Sequence, residues 1–281
     1  MTGKTVVITG GTSGIGQVAA EALAGMGARI VLVARDRARA DATIARLRAP
    51  GSGAAHSIHY ADLSRLSEMK RVGREIADAE PRIDVLINNA GAMFSSREQT
   101  EDGLERTFAT NHVSYFVLAR LLRDRLLASA PARVINTASH AHRGARLNFD
   151  DLQLKNGYSG FRAYGRSKLS NILFTRELAR RLAGTGVTAN SLHPGFVATR
   201  FGDQDSHGFS SHLFRFFKKF AISPEKGAET IVYLASSGVP AAVSGAYFYK
   251  CQAVTPSREA QDDQAARRLW QETARLSGLE D

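Results

Sequence analysis

Thr5-Val6-Val7-Ile8-Thr9-Gly10-Gly11-Thr12-Ser13-Gly14-Ile15-Gly16 is the stretch whose reading decides the fold. Thr5–Thr9 is a β-branched run, the composition of a buried strand. Glycines at 10, 14 and 16 follow, and a helical apolar pattern begins at once. Gly10 permits a tight turn, Gly14 lets the backbone approach a pyrophosphate, and Gly16 lets the helix lie close to the strand. Thr12, Ser13 and Ile15 sit at the helix start, where free N–H groups and the positive end of the helix dipole favour phosphates. A glycine triplet alone also fits an unliganded turn. The strand before it and the helix after it are the context that dinucleotide binding requires.

Outward from this loop the same alternation repeats. Strands are expected at 4–9, 29–34, 56–60, 83–88, 132–138, 187–192 and 245–249. Helices are expected at 14–26, 36–48, 65–79, 100–128, 162–184, 224–236 and 260–277. Such alternation implies βαβ units with right-handed crossovers. The expected architecture is α/β: one Rossmann-type domain over 1–281, doubly wound, with a mainly parallel seven-stranded sheet and helices on both faces. Its 281 residues, 43% of them apolar, suffice for that core. Ala49–Gly53 reads as a loop, not a domain boundary. The segments 140–161 and 196–223 follow strands, so both should lie over the ligand-binding edge of the sheet.

The second strand ends in Arg35-Asp36-Arg37. Arg35 there can pair with a ribose 2′-phosphate and favour NADP, whereas an acidic residue would bind the 2′-OH and favour NAD. Asp36 keeps the second possibility open. Asp62-Leu63 follows the third strand, where a carboxylate can accept from an adenine amino group. Asn88-Asn89-Ala90-Gly91 ends the fourth strand, with small residues beside the cofactor path and amides that can tie strands together.

Tyr164 and Lys168 are four residues apart on a helix and share a face. An ordinary Tyr ionises near pH 10, and a nearby ammonium would lower that value. Such a Tyr can exchange a proton with a carbonyl or alcohol oxygen. Ser139 ends the fifth strand segment and can hold the same oxygen, although a Ser there is also a common cap. Asn111, inside the 100–128 helix, can anchor a water that relays protons from Lys168. Pro194-Gly195 turns the chain after the sixth strand, with Val197 and Thr199 placed to meet the carboxamide or the pyrophosphate. His193 reads as structural.

The net charge is +10, from 37 basic and 27 acidic residues. The arginines are spread among acidic residues with no Lys/Arg block, so no nucleic-acid partner is expected. A single cysteine, Cys251, excludes an intrachain disulfide framework and fits a reducing compartment. No metal is expected. No apolar run is long enough to span a bilayer, and no signal peptide precedes the first strand. Phe209, Leu213, Phe216, Phe217 and Phe220 form one apolar helical face within 209–220. That helix reads as a substrate lid, an ordinary packing helix or a peripheral membrane contact.

Thr9-Gly10, Gly14-Ile15-Gly16, Asn88–Gly91, Asn111, Ser139, Tyr164/Lys168 and Pro194-Gly195 occur in one order, and as a set they resemble the short-chain dehydrogenase/reductase family over nearly the whole chain. The resemblance is nearest to the retinol dehydrogenase-like subgroup. Arg35, Leu147–Leu152, Ser244–Phe248, Arg268-Leu269-Trp270 and the 25-residue step from Ser139 to Tyr164 carry it. It implies an NAD(P) cofactor and a catalytic group of Asn111, Ser139, Tyr164 and Lys168. It also implies hydride exchange between NADP(H) and a hydrophobic carbonyl/alcohol pair, retinal-like or another aldehyde or ketone. Many animal members begin with a membrane anchor. This sequence instead opens on Met1-Thr2-Gly3-Lys4 and a strand, so a cytoplasmic enzyme is expected. Family members commonly pair their two long helices between subunits, here 100–128 and 162–184, so a homo-oligomer is admitted. The alternatives are a cofactor sensor without turnover and a sugar-nucleotide epimerase or dehydratase on the same fold.

Overall fold

All five residues of β1 (Thr5–Thr9) are buried, as befits a strand in the middle of a sheet covered on both faces. The computed structural model describes residues 1–48, 55–195 and 222–280. β1 is joined by β2 (Arg29–Ala34), β3 (Ser57–Tyr60), β4 (Val85–Asn88), β5 (Ala132–Thr137), β6 (Val187–Leu192) and β7 (Tyr247–Tyr249). All seven run parallel, in the order β3-β2-β1-β4-β5-β6-β7. The order reverses between β1 and β4. Sheets of this kind bind ligands outside the C-terminal strand ends at such a reversal.

The sheet has one strand more than expected. β8 (Gln252–Ala253) returns antiparallel to β7. Lys250 and Cys251 make the two-residue turn, with φ of 48° and 61°. Such turns are usually signalled by Asn-Gly or Asp-Gly, and neither dipeptide stands here.

Alternate residues of β1 serve two cores. Val6 and Ile8 pack with Leu23 of α1 (Gly14–Gly25), Ile44 of α2 (Arg37–Leu47) and Ile231 of α8 (Pro224–Ser236). Val7 faces the other side with Met69 of α3 (Leu66–Ala79), Phe116 of α5 (Ser114–Leu121), Phe174 of α7 (Gly160–Arg181) and Trp270 of α9 (Asp263–Ser277). α9 buries Ala266, Leu269, Trp270, Thr273, Ala274 and Ser277, one helical stripe. Asp262 caps its start and left-handed Gly278 ends it. Trp270 stacks on Phe174 at 5.8 Å and meets Phe116 edge-on at 4.9 Å, so α9 lies across α5 and α7.

The stretch 100–128 is not one helix. Gly103, with φ of 77°, closes a turn onto Thr100. Glu105 then caps α4 (Arg106–Phe108), accepting from the N–H groups of Thr107 at 2.8 Å and Phe108 at 2.7 Å. Ala109–Val113 winds as a π turn before α5, and Leu122 separates α5 from α6 (Arg123–Ala128). π turns inside helices are frequent at functional sites, and this one holds Asn111. Among the described residues, no helix is long and apolar enough to cross a membrane.

Candidate active site

The glycine loop is held by contacts that leave no room for side chains. Gly10 has φ of 67°, and a Cβ there would lie 2.8 Å from the Cα of Ala90. A Cβ on Gly16 would lie 2.3 Å from the carbonyl oxygen of Gly10 and 2.4 Å from Nδ2 of Asn89. The third glycine therefore packs against the loop itself as well as its strand. Ser13 is the N-cap of α1, yet its hydroxyl makes no capping bond. Gly14 opens the helix at φ of 53°, Thr12 is half-buried, and Ile15 packs against the core of Val6 and Ile8. This tight loop, opening a twelve-residue helix whose N-cap hydroxyl makes no capping bond, fits a dinucleotide pyrophosphate. Gly16→Ala should lower stability by roughly 1–3 kcal/mol and weaken cofactor binding at least about tenfold. A melting curve and a cofactor titration check both, and an unchanged affinity would refute the second expectation.

At the tip of β2, Arg35 is exposed and Asp36 is occupied. Asp36 caps α2, accepting from the N–H of Arg39 at 3.0 Å and pairing with its Nε at 2.8 Å. Those hydrogen bonds hold its carboxyl below the usual range. The guanidinium of Arg37 lies 4.2 Å from the centre of the Tyr60 ring, whose hydroxyl donates to Asp41. After β3, Asp62 accepts from the N–H and hydroxyl of Ser64 at 3.0 and 2.8 Å, and Leu63 is buried.

Asn88 and Asn89 join strands, as their amides suggested. The Thr9 hydroxyl accepts from the N–H groups of Asn89 and Ala90 at 2.9 and 3.0 Å. Nδ2 of Asn89 donates back to the carbonyls of Thr9 and Gly10. Asn88 donates to Asn136, which donates to Thr175, each at 2.9 Å. Gly91 borders the catalytic candidates: a Cβ there would lie 3.3 Å from Oδ1 of Asn111 and 3.4 Å from Nζ of Lys168.

The four predicted catalytic residues converge beside that glycine. Lys168 is buried, and its Nζ donates to the carbonyl of Thr137 at 3.0 Å. That Nζ lies 5.6 Å from the centre of the Tyr164 ring and 5.7 Å from that of Tyr115. Burial pushes the Lys168 ammonium down to about 7. Burial also pushes the Tyr164 phenol up to about 12, and a hydrogen bond with Ser139 opposes the shift. The lowering by Lys168 that i, i+4 spacing suggested is therefore not the dominant effect, because the same pocket desolvates both groups. Ser139 caps a turn as well as meeting Tyr164: its Oγ accepts from the N–H of Ala141 at 3.2 Å.

Asn111 acts on the backbone. Its Oδ1 accepts from the N–H of Ala92 at 2.8 Å, and its Nδ2 donates to the Ala92 carbonyl and the Ser167 hydroxyl, both at 2.9 Å. Both amide protons are therefore spent on protein groups.

Pro194-Gly195 turns at the same edge, with Gly195 at φ of 90° and its N–H donating to Nδ1 of His193 at 3.2 Å. His193 is stacked on Tyr249 at 4.1 Å. Burial, with the charges of His140, His142 and Arg143, pushes it down to about 4, which agrees with a structural role. Val197, Thr199 and the 209–220 helix lie outside the described residues, as does the lid segment up to 221.

Three residues escaped the sequence reading. The hydroxyl of buried Tyr115, four residues after Asn111, donates to the Ala90 carbonyl at 2.9 Å. His142 holds the Ser139 loop: its Nε2 accepts from the Ser257 N–H at 3.1 Å, so its Nδ1 carries the proton, 2.7 Å from the Ser139 carbonyl. Asn171 sits one turn beyond Lys168 and completes an i, i+4, i+7 face with Tyr164. That spacing was the available signal.

Residues 4–208 match the short chain dehydrogenase family model. Human retinol dehydrogenase 13 is 43% identical, covering 99% of this chain and 86% of its own length. Human retinol dehydrogenase 14 is 42% identical, covering 99% and 88%. Among solved structures, a protein from Mycobacterium paratuberculosis is 34% identical with a TM-score of 0.79, covering 99% of this chain and 95% of that one. Pseudomonas aeruginosa RhlG, solved as an NADP active-site complex, is 28% identical with a TM-score of 0.70, covering 88% and 94%. The glycine loop at the switch point, the converging side chains and these relatives agree: the chain belongs to the short-chain dehydrogenase/reductase family, in its retinol dehydrogenase-like subgroup, and is an oxidoreductase acting on CH–OH groups.

Proposed function

We propose that the chain exchanges hydride between NADP(H) and a hydrophobic alcohol/carbonyl pair, with Tyr164 moving the proton. The observation that carries this reading is the meeting of Tyr164, Ser139 and Lys168 at the edge where the glycine loop opens. When bound, the nicotinamide cofactor gives or takes the hydride. The phenol of Tyr164 is protonated at neutral pH, the form that gives a proton to a carbonyl oxygen. Ser139, hydrogen-bonded to that phenol, is the second hydroxyl that would hold the substrate oxygen. Lys168, tied to the Thr137 carbonyl, would hold the nicotinamide ribose and present its charge to the Tyr ring. Asn111 secures the Ala92 loop against α7, which keeps the walls of the site in register.

Gly10, Thr12, Ser13, Gly14, Ile15 and Gly16 would hold the pyrophosphate, with Asn89, Ala90 and Gly91 beside the nicotinamide half and Pro194-Gly195 closing over it. Asp62 and Leu63 would flank the adenine. NADP is favoured over NAD because Asp36 is committed to capping α2, while Arg35 stands exposed at the strand tip. The NADP complex of RhlG supports the same choice. The names of the retinol dehydrogenase relatives favour a long apolar substrate. A peripheral membrane contact through 209–220 belongs to the same reading. Pairing of subunits through α5 and α7 has less surface to use, because α9 buries Trp270 against both.

The test is oxidation of NADPH, and separately NADH, against short, long-chain, aromatic and polyene aldehydes and ketones. NADPH should be preferred, with kcat/KM rising with chain length. A charge-assisted contact is worth about 1.5–3 kcal/mol, so Arg35→Ala should narrow the NADPH preference by about tenfold or more. An unchanged preference would remove Arg35 from the 2′-phosphate site.

A further inference from the structure

Asn171 is fully buried on α7, one turn beyond Lys168. Its Nδ2 faces two backbone carbonyls, Asn111 at 2.9 Å and Thr137 at 3.3 Å. Carbonyls only accept, so the amide nitrogen belongs there and Oδ1 points the other way. It points at Nδ1 of His112, 3.2 Å distant. An amide oxygen cannot donate, so His112 must carry its proton on Nδ1.

His112 is itself buried between aromatic rings, with Phe108 at 5.0 Å and Phe174 at 6.0 Å. Burial holds the imidazole neutral, pushed down to about 4. A neutral ring with its proton on Nδ1 has an acceptor at Nε2. The hydroxyl facing Nε2 at 3.0 Å is that of Thr273, on α9. The proton directions then follow one after another: Thr273 donates to His112, His112 to Asn171, and Asn171 to the two carbonyls. The single Thr273 hydroxyl proton has a second acceptor in reach, the Leu269 carbonyl at 2.8 Å, to which it donates when it is not given to Nε2; that carbonyl also accepts from the helix ladder of α9.

The two carbonyls frame the site. Thr137 receives Lys168 Nζ on the same oxygen that Asn171 approaches. Asn111 lies in the π turn, and its side chain ties Ala92 and Ser167 together. Asn171 thus sets the spacing between the end of β5 and the π turn, with Lys168 between them. A polar chain in an apolar interior is expensive to bury and most sensitive to the loss of a single partner.

We propose that Thr273, His112 and Asn171 are positioning residues, a buried relay through which α9 sets the placement of Lys168 and of the Asn111 turn. The proposal rests on the role given to Lys168 under Proposed function. Loss of the Thr273 hydroxyl removes the donor to Nε2, which frees the His112 tautomer and with it the Asn171 amide. The two carbonyls then lose a fixed partner, and Lys168 relaxes within its pocket.

The experiment compares Thr273→Val with Thr273→Ser in the full chain, measuring kcat, KM and the pH profile of kcat. Misplacement of a reacting group by a fraction of an ångström to an ångström costs up to about a hundredfold in rate. Thr273→Val should lower kcat about tenfold, leave both KM values within about twofold, and move the pH profile by about half a unit. Thr273→Ser, which keeps the hydroxyl, should restore the rate and the profile. Two results overturn the relay: both variants matching the wild type, or both falling equally, since the hydroxyl then has no part in the effect. Tyr164→Phe assayed in parallel separates the two ideas. Full activity there would sink the assigned chemistry, whereas the Thr273 pair bears on the relay alone.

Discussion

Tyr164→Phe should lose about three orders of magnitude in kcat and keep its fold and its cofactor affinity. The substitution removes one oxygen and leaves the ring in place. Ser139 loses a partner but still accepts from the Ala141 N–H. Among the described residues, three neighbouring groups that could carry a proton are engaged elsewhere. His142 is engaged with the Ser139 carbonyl and the Ser257 N–H, and burial holds its imidazole below the ordinary value. His193 is held neutral and stacked on Tyr249. Lys168 is turned to the Thr137 carbonyl. A change in kcat without a change in KM marks an interaction made in the transition state. Residual activity above about a tenth of wild type would remove Tyr164 from the proton step.

Lys168→Met should cut kcat by about two orders of magnitude and, at the same time, make the protein more stable at neutral and acid pH. Lys168 is buried, no carboxylate pairs with it among the described residues, and desolvation pushes it from 10.5 to about 7. The sign follows from linkage. Between about 7 and 10.5 the unfolded chain binds a proton that the folded chain does not, so wild-type stability rises with pH across that window. Below about 7 the penalty is present in full. Each unit of difference is worth about 1.4 kcal/mol. Methionine fills a similar volume with no charge to desolvate, and the Thr137 carbonyl keeps the Asn171 amide as a donor. The gap in Tm between variant and wild type should therefore be widest near pH 6 and close towards pH 10. A gap that is constant with pH, or a variant less stable throughout, would contradict the buried-charge account. With the expected gap, the same residue weakens the fold and serves the reaction, a common trade at active sites.

Much of the site was legible because its signals are local. The strand–glycine loop–helix at 5–16 is written in β-branched residues and in glycines that dihedral limits require. Tyr164 and Lys168 share a face because a helix repeats every 3.6 residues. Asn171 obeys the same period, yet only its partners give it meaning. Arg35 and Asp36 are neighbours in sequence, and nothing in their order says which one is spent on capping a helix. The structure answers with Arg39, three residues further on. Helix 100–128 looked continuous because its apolar residues keep helical spacing, while the cap at Glu105 and the π turn depend on how the segment docks.

The sequence by itself determined what depends on neighbours along the chain: the alternation of strands and helices, the phosphate loop, and the residue types delivered to the C-terminal edge of the sheet. Only the tertiary structure decided the chemistry of those residues. Whether Lys168 is charged, whether Tyr164 holds its proton, and what Asn111 donates to are set by burial and by partners far away in sequence: the carbonyl of Thr137, the hydroxyl of Ser139, the backbone of Ala92. Desolvation and hydrogen-bond pairing act over a few ångströms of space, and folding alone brings β5, the π turn and α7 within that range.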